Sequence, residues 1–380
     1  MKSSLKIAFI CSENANDKTA WSGILFNMFK VLKDTFETVD AIGPVDSFFF
    51  KSLGITNRLT QFFISKGYNH KHSFIKSKIL GYIFSKKISK KKYDIIFAPA
   101  ASTEIAFLKT TIPIVYLSDS SFSQLLNYYE IFTNLLDFSV KESKYIEKLS
   151  IEKASGFIYP SEWAANFVEK TYNVSKEKFK VIPFGANIDE LYIPENINKS
   201  FLHDKPFYIL FVGVNWKRKG GDIVIQTFQL LLSQGYNVKL IVCGCVPPVK
   251  HENVEVYPFL NKNLDSDMVI LSTIYKKSNL LFVPTRADCS PIIFCEASAF
   301  GLPVLSTNTG GVADLVEDGV NGFCLDYSAT PQEYTDIIIR LIKNETEYLL
   351  LCDNSKNKYK NELNWQLWAQ SVKLFFYELL

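Results

Sequence analysis

The stretch Pro284–Gly322, PTRADCSPIIFCEASAFGLPVLSTNTGGVADLVEDGVNG, decides the fold. It reads as a strand end, a turn, a helix, a second strand and another turn in quick succession. That is the rhythm of a parallel α/β sheet. Ser290 is predicted as the N-cap of the helix and Pro291 as its first residue, both favoured there for local reasons. The helix 291–300 is apolar almost all round and should be buried. Its one charge is Glu296. A buried, unpaired carboxylate costs on the order of several kcal/mol. Glu296 is therefore expected to face a solvent gap or to accept hydrogen bonds from a ligand. Vicinal sugar hydroxyls would suit it, since one carboxylate accepts two O–H donors. Asp288 lies in the turn before the helix, where it can address the same space.

Working outward, the second half repeats βα units. Strands are expected at 207–213, 238–245, 254–260, 279–285 and 302–307, with helices at 222–236 and 267–277. Three strand–turn–helix junctions can hold an anion, because a helix N-terminus offers unpaired N–H groups and a positive dipole end. The first carries Lys217, Arg218 and Lys219 before Gly220-Gly221, and is either a solvated basic turn or a phosphate clamp. The second is Ser290-Pro291-Ile292. The third is Asn308-Thr309-Gly310-Gly311, a candidate nest of N–H groups. GVNWKRKGG lacks the glycine spacing of the dinucleotide fingerprint, so a Rossmann oxidoreductase gains no support.

The first half opens on an apolar strand at 5–12, a loop and a helix with Ile24, Met28 and Leu32 on one face. Further strands are expected at 39–45, 93–100 and 111–121, the last ending in Ser118 and Asp119. Ligands in such sheets sit beyond the carboxyl ends of strands. The window 47–93 has no Asp or Glu and is rich in Lys and aromatic residues. It reads either as an amphipathic helix with a lysine face or as a peripheral contact with anionic lipid. The Pro-, Gly- and Asn-containing stretch 180–206 is the best linker candidate, with the domain boundary near 190–205. We expect domains at 1–195 and 196–362, with a C-terminal helix over 363–380 that packs back on the first domain.

With 380 residues and 47% hydrophobic content, the chain is long enough for two cores. A net charge of +3 is too small for a generic nucleic-acid binder. The seven cysteines are odd in number and sit mostly in apolar runs, as reduced core thiols of a cytoplasmic protein would. No run is long enough to span a bilayer, so membrane contact, if any, is expected to be peripheral, at the inner face. Asp265-Ser266-Asp267 looks like a metal motif but is better explained by N-capping. Cys243 and Cys245 have no second pair at zinc spacing. The histidines, His70, His72, His203 and His251, form no catalytic pattern.

These residues carry a family resemblance. Pro284-Thr285-Arg286, Asp288-x7-Glu296, Gly301-Leu302-Pro303-Val304, Gly310-Gly311 and Glu317-Asp318-Gly319-Val320-Asn321-Gly322 resemble the signature of family 4 retaining glycosyltransferases. FVGVNWKRKGG, VIPFGANID and AFICSENANDKTAWSG add to it. The resemblance implies a GT-B fold, two Rossmann-like doubly wound domains facing each other across a cleft. It implies a nucleotide diphosphate sugar donor held by the second domain and a glycan or lipid-linked acceptor held mostly by the first. By position, Glu296 would bind the ribose, Asp288 would lie near the donor sugar, and the Arg218-Lys219 turn with Ser290, Pro291 and Ile292 would hold the diphosphate. Gly23 would approach that diphosphate from the first domain, and Asp119 would stand on the acceptor side. No metal and no further cofactor are expected. A GT-B epimerase or phosphorylase and a non-catalytic nucleotide-sugar-binding partner subunit are the alternatives. The first motif acid is Asp288 where the family usually has Glu, and Val214-Asn215 stand where it commonly has Arg after a Gly such as Gly213.

Overall fold

The structure, a computed structural model, describes residues 2–195, 199 and 205–380, without the side chains at 48, 49, 51 and 53. Residues 196–198 and 200–204 of the expected linker, His203 among them, and the side chains of Phe48, Phe49 and Lys51 fall outside the described set. The chain forms two compact units. The first is Met1–Ile182 with Ala369–Leu380, and the second is Pro183–Trp368. Residues 183–192 belong to the second unit because they bond within it. The Ala186 N–H donates to the Leu363 carbonyl at 3.0 Å, and Ser272 Oγ donates to the Tyr192 carbonyl at 2.5 Å.

Each unit is built on one six-stranded parallel sheet. In the first, β1 (Ser3–Ile10), β2 (Phe36–Ile42), β3 (Ile95–Pro99), β4 (Ile114–Leu117), β5 (Gly156–Tyr159) and β6 (Phe179–Val181) stand in the order β2-β1-β3-β4-β5-β6. In the second, β7 (Phe207–Val212), β8 (Val238–Cys243), β9 (Val254–Tyr257), β10 (Leu280–Val283), β11 (Val304–Thr307) and β12 (Gly322–Leu325) stand in the order β12-β11-β10-β7-β8-β9. The central strands are buried on both faces, as helices on both sides of a parallel sheet require; β3 and β10 are buried at every residue. The strand order reverses between β1 and β3 in the first sheet and between β7 and β10 in the second. Loops leaving the carboxyl ends of those strands diverge and open a crevice at each switch point.

The expected helix face holds: Ile24, Met28 and Leu32 are buried in helix Ile24–Thr35. The basic window differs from a single helix. It folds as helix Phe48–Ile64, a short turn at His70–His72, and helix Phe74–Ile88. The last helix, Trp365–Glu378, starts in the second unit and ends in the first. Its Phe376 ring lies 5.7 Å from both Phe36 and Phe97 in the first core. Trp365 Nε1 donates to Asn187 Oδ1 at 3.0 Å in the second unit.

Candidate functional site

At the switch point of the second sheet, the loop after β7 is pulled onto the end of β10. Gly220 has φ 76°, and a Cβ there would lie 2.0 Å from the Pro284 carbonyl oxygen. No other residue type allows that approach. The Arg286 N–H donates to the Arg218 carbonyl at 2.7 Å, stitching the two loops together. Gly213 leaves room for Lys219, whose Cγ would stand 2.8 Å from a Cβ at that position. The result is a buried charge cluster. Lys219 Nζ donates to Asp288 Oδ2, and Arg218 Nη1 stands 3.8 Å from the same oxygen. Arg218 Nη1 also donates to the Ala287 carbonyl at 2.6 Å, which fixes its fork. The third turn arrives here too, its Gly311 N–H donating to the Asp288 carbonyl at 3.2 Å. Burial pushes the Lys219 ammonium below its ordinary range, and the Asp288 carboxylate opposes that shift. Lys217 is exposed, and its carbonyl accepts from Arg286 Nη1 at 2.6 Å. Of the three cations, Arg218 and Lys219 are therefore the two beside Asp288.

Two expectations about the helix after β10 are corrected. The helix runs Ile292–Ala299, with Pro291 in the capping position and Ser290 one residue outside it. Ser290 Oγ caps no N–H, because Pro291 already occupies the position from which a side chain would reach back; it is a buried hydroxyl without a partner among the described residues. Such orphans are uncommon in folded proteins. Glu296 does not face a solvent gap. It is 1% exposed, its Oε2 accepts from Tyr275 Oη at 2.9 Å, and its Oε1 accepts from Lys262 Nζ. The carboxylate is held by a cation that was not expected at all. Lys262 sits in the loop before helix Asp265–Lys277, where nothing local marks it.

The Asp265-Ser266-Asp267 segment also differs in detail. Asp265 and Asp267 lie in the first turn of the helix, with Leu264 in the capping position. Asp267 Oδ2 accepts from the Asn261 N–H at 2.7 Å, and Asp265 Oδ1 accepts from Tyr192 Oη at 3.0 Å. Among the described residues no group of three or more His, Cys, Asp or Glu side chains could hold a metal ion.

The switch point of the first sheet holds a cavity of about 420 Å³. It is lined by residues after β1 (Ser12, Glu13), β3 (Ala100) and β4 (Ser118, Asp119). Trp21, Ser22 and Gly23 run through the left-handed region in succession, at φ 46°, 57° and 88°. That path is unusual for Trp and Ser. It aims the indole so that Trp21 Nε1 donates to Asp119 Oδ2 at 3.3 Å. Gly23 occupies the capping position of helix Ile24–Thr35. Ser118 Oγ is turned to the Ser120 carbonyl at 2.7 Å.

The Glycosyl transferases group 1 family matches residues 193–361, and Glycosyltransferase Family 4 matches residues 58–190. The chain is 28% identical over 262 residues to the capsular polysaccharide biosynthesis glycosyltransferase CapM of Staphylococcus aureus, covering 62% of this chain and 67% of that relative. Other curated relatives are matched over 54% and 64% of their length. Among solved structures, the fold is similar to Anabaena HepE in complex with UDP, with a TM-score of 0.68 and 19% identity over 98% of this chain and 100% of that one. It is also similar to the lipopolysaccharide outer core galactosyltransferase WaaB, with a TM-score of 0.66 and 14% identity over 99% and 100%.

Proposed function

The chain belongs to the family 4 glycosyltransferases of the GT-B fold, and from that premise we propose a retaining transfer from a nucleotide diphosphate sugar to a hydroxyl of a glycan or lipid-linked acceptor. One observation carries the reading: three turns converge on Asp288 at the switch point of the second sheet, bringing Lys219, Arg218 and an orphan Ser290 hydroxyl together. Two cations beside the start of a helix suit a diphosphate. Lys219 and Arg218 neutralise the charge that grows on the departing phosphate oxygen, in a site dry enough to strengthen that interaction. Asp288 keeps both cations in place and faces the donor sugar. Ser290 donates to a phosphate oxygen, with the helix start at Pro291 and Ile292 beside it. Glu296 accepts from the ribose hydroxyls.

The bond from the anomeric carbon to the diphosphate oxygen breaks as the acceptor oxygen bonds to the same face of that carbon. The acceptor proton passes to the leaving diphosphate. The first unit supplies the acceptor side through Asp119. The residues named provide the positive charge themselves, so the reaction proceeds without a metal or a further cofactor.

A capsular polysaccharide relative and a lipopolysaccharide structural neighbour favour surface-glycan synthesis as the setting. Helix Phe48–Ile64 supports a peripheral site of action on the cytoplasmic face. Phe62 and Phe63 are 81% and 74% exposed, with Arg58 and Lys66 nearby in sequence and no acid in the window. Exposed aromatics flanked by cations suit an anionic lipid surface. No described helix is long and apolar enough to cross a membrane.

The test is a thermal-shift and hydrolysis panel of UDP-, GDP-, ADP- and CDP-sugars, followed by NMR of the product's anomeric centre. One donor should raise the melting temperature by mass action. An inverted product refutes retention, and no binding to any donor refutes the assignment.

A further inference from the structure

The cavity in the first unit is larger than Asp119 alone explains, and its charges have an uneven fate. Glu147 is consumed internally. It accepts from the Phe122 N–H, from the Ser123 N–H at 3.2 Å and from Tyr172 Oη. His72 Nδ1 stands 3.0 Å from the Asn69 amide, and Nε2 stands 3.2 Å from Ser102 Oγ. Burial, with Lys76 and Lys71 adding to it, takes the imidazole down to about 4, so it is neutral at physiological pH. Asp119 is engaged by Trp21.

Glu104 is different. It is 4% exposed and lines the cavity, and among the described residues no side chain hydrogen-bonds to its carboxyl. Lys76 lines the same cavity. No carboxylate lies within 4.0 Å of its ammonium among the described residues, and it stands 5.7 Å over the Phe50 ring. A buried acid and a nearby base thus line a polar cavity with no side-chain hydrogen bond to either among the described residues. Groups in that position are costly unless something arrives to satisfy them.

The charge around the cavity decides what arrives. Glu13, Glu104 and Asp119 offset Lys71 and Lys76. A phosphate or carboxylate drawn to Lys76 would stand beside Glu104 and Asp119, and like charges at such distances repel strongly in a low dielectric. A polyol meets no such penalty. One hydroxyl donates to Glu104, a neighbouring one accepts from Lys76, and Trp21 and Phe122 offer apolar surface to the C–H face of a ring. The volume falls within the range of about 300–1,000 Å³ typical of small-molecule pockets.

We propose that this cavity takes an uncharged sugar residue of the acceptor, read by Glu104 and Lys76, and that it excludes sugar phosphates and uronic acids. The inference rests on the reading that the chain is a glycosyltransferase whose first unit holds the acceptor. The experiment is ligand-observed saturation-transfer NMR on the full chain. The probes are the methyl glycosides of glucose, galactose and N-acetylglucosamine, with glucose 6-phosphate and glucuronate as the charged pair. At least one neutral glycoside should bind. Glu104→Gln and Lys76→Met should each weaken it about tenfold, the magnitude of one hydrogen bond to a charged group. Tighter binding of either anionic probe, no binding of any neutral one, or unchanged binding in both variants overturns the proposal. The melting temperature of each variant reports whether it folds, and Lys76→Met, at a partly exposed site, serves if Glu104→Gln does not. UDP and GDP binding on the same samples separates the two levels. Nucleotide binding without sugar binding refutes this inference alone, whereas loss of both in the wild type refutes the parent reading.

Discussion

Replacing Glu296 by Gln separates a structural acid from a nucleotide-binding one. The side chain is 1% exposed and bonds to Tyr275 Oη and Lys262 Nζ. Gln keeps the volume, and its carbonyl oxygen can still accept from Tyr275 Oη. It loses the charge that holds Lys262, whose side chain is 23% exposed and can turn to water. The stability cost is therefore that of one weakened partner, about 1–2 kcal/mol. In a unit of this size that lowers the melting temperature by about 2–8 °C. Ala would cost more, about 3–5 kcal/mol, because it strands a buried Tyr275 hydroxyl and the Lys262 charge. Binding should suffer more than folding. Two ribose hydroxyls on one carboxylate form two charge-assisted bonds, and their loss is worth about 2–4 kcal/mol, or roughly 30- to 1,000-fold in Kd. Calorimetry with UDP, GDP and their 2′-deoxy forms completes a double-mutant cycle. The wild type should discriminate against the deoxy ligand, and Glu296→Gln should not. If the variant keeps the full deoxy penalty, Glu296 does not hold the ribose, and its bonds to Lys262 and Tyr275 are its whole role.

Lys219→Met should reduce turnover by about 100- to 1,000-fold, the usual loss for one donor to a developing oxyanion, while the fold survives because Arg218 still faces Asp288. Steady-state kinetics checks it, and a change confined to KM would refute the leaving-group role. Dialysis against EDTA should leave transfer unchanged, and recovery only on adding Mg²⁺ or Mn²⁺ would refute charge neutralisation by protein cations alone. Sedimentation with anionic liposomes should fall as salt rises, since screening weakens the basic contribution, and the double variant Phe62→Ser, Phe63→Ser should abolish it. Equal sedimentation of variant and wild type would refute the docking helix. Lys199 gives a pH dependence. Its Nζ donates to the carbonyls of Tyr275, Lys276 and Ser278 at 3.0, 3.2 and 2.7 Å, and burial pushes it down to about 7. Above that value the unfolded chain binds more protons than the folded one, so stability rises with pH, by at most about 1.4 kcal/mol per unit. The urea midpoint should climb between pH 7 and 8.5 in the wild type and stay flat in Lys199→Met. Parallel slopes would refute the assignment.

The parallel sheets were legible because their strands are buried on both faces and so read as short apolar runs between turns. Of the four edge strands, β2 and β9 were legible, whereas β6 and β12 were not. β6 carries Lys180 and only partly buried residues, and it runs straight into a Pro- and Gly-containing stretch, so no apolar run marks it. β12 begins with Gly322, where no apolar run announces a strand. Helix Pro331–Lys343 is announced by Thr330, Pro331 and Glu333, which form a full capping box. Lys262 was beyond reach for another reason. Its partner lies 34 residues away in sequence, so only the tertiary fold brings them together.

Glu104 shows the limit of a rule rather than of the sequence. Glu296 is a lone acid in an apolar helix, and AASTEIAF places Glu104 in the same situation. The fold answers the two differently. Glu296 bonds to a tyrosine and a lysine, whereas Glu104 has Lys76 near it but no side-chain bond among the described residues. The same local pattern therefore marks a carboxylate that must be satisfied without saying by what. In the second unit the protein supplies most of the answer, and a nucleotide must compete with Lys262 for it. In the first, the space is open, so the acid's remaining bonding capacity is available to whatever enters the cavity.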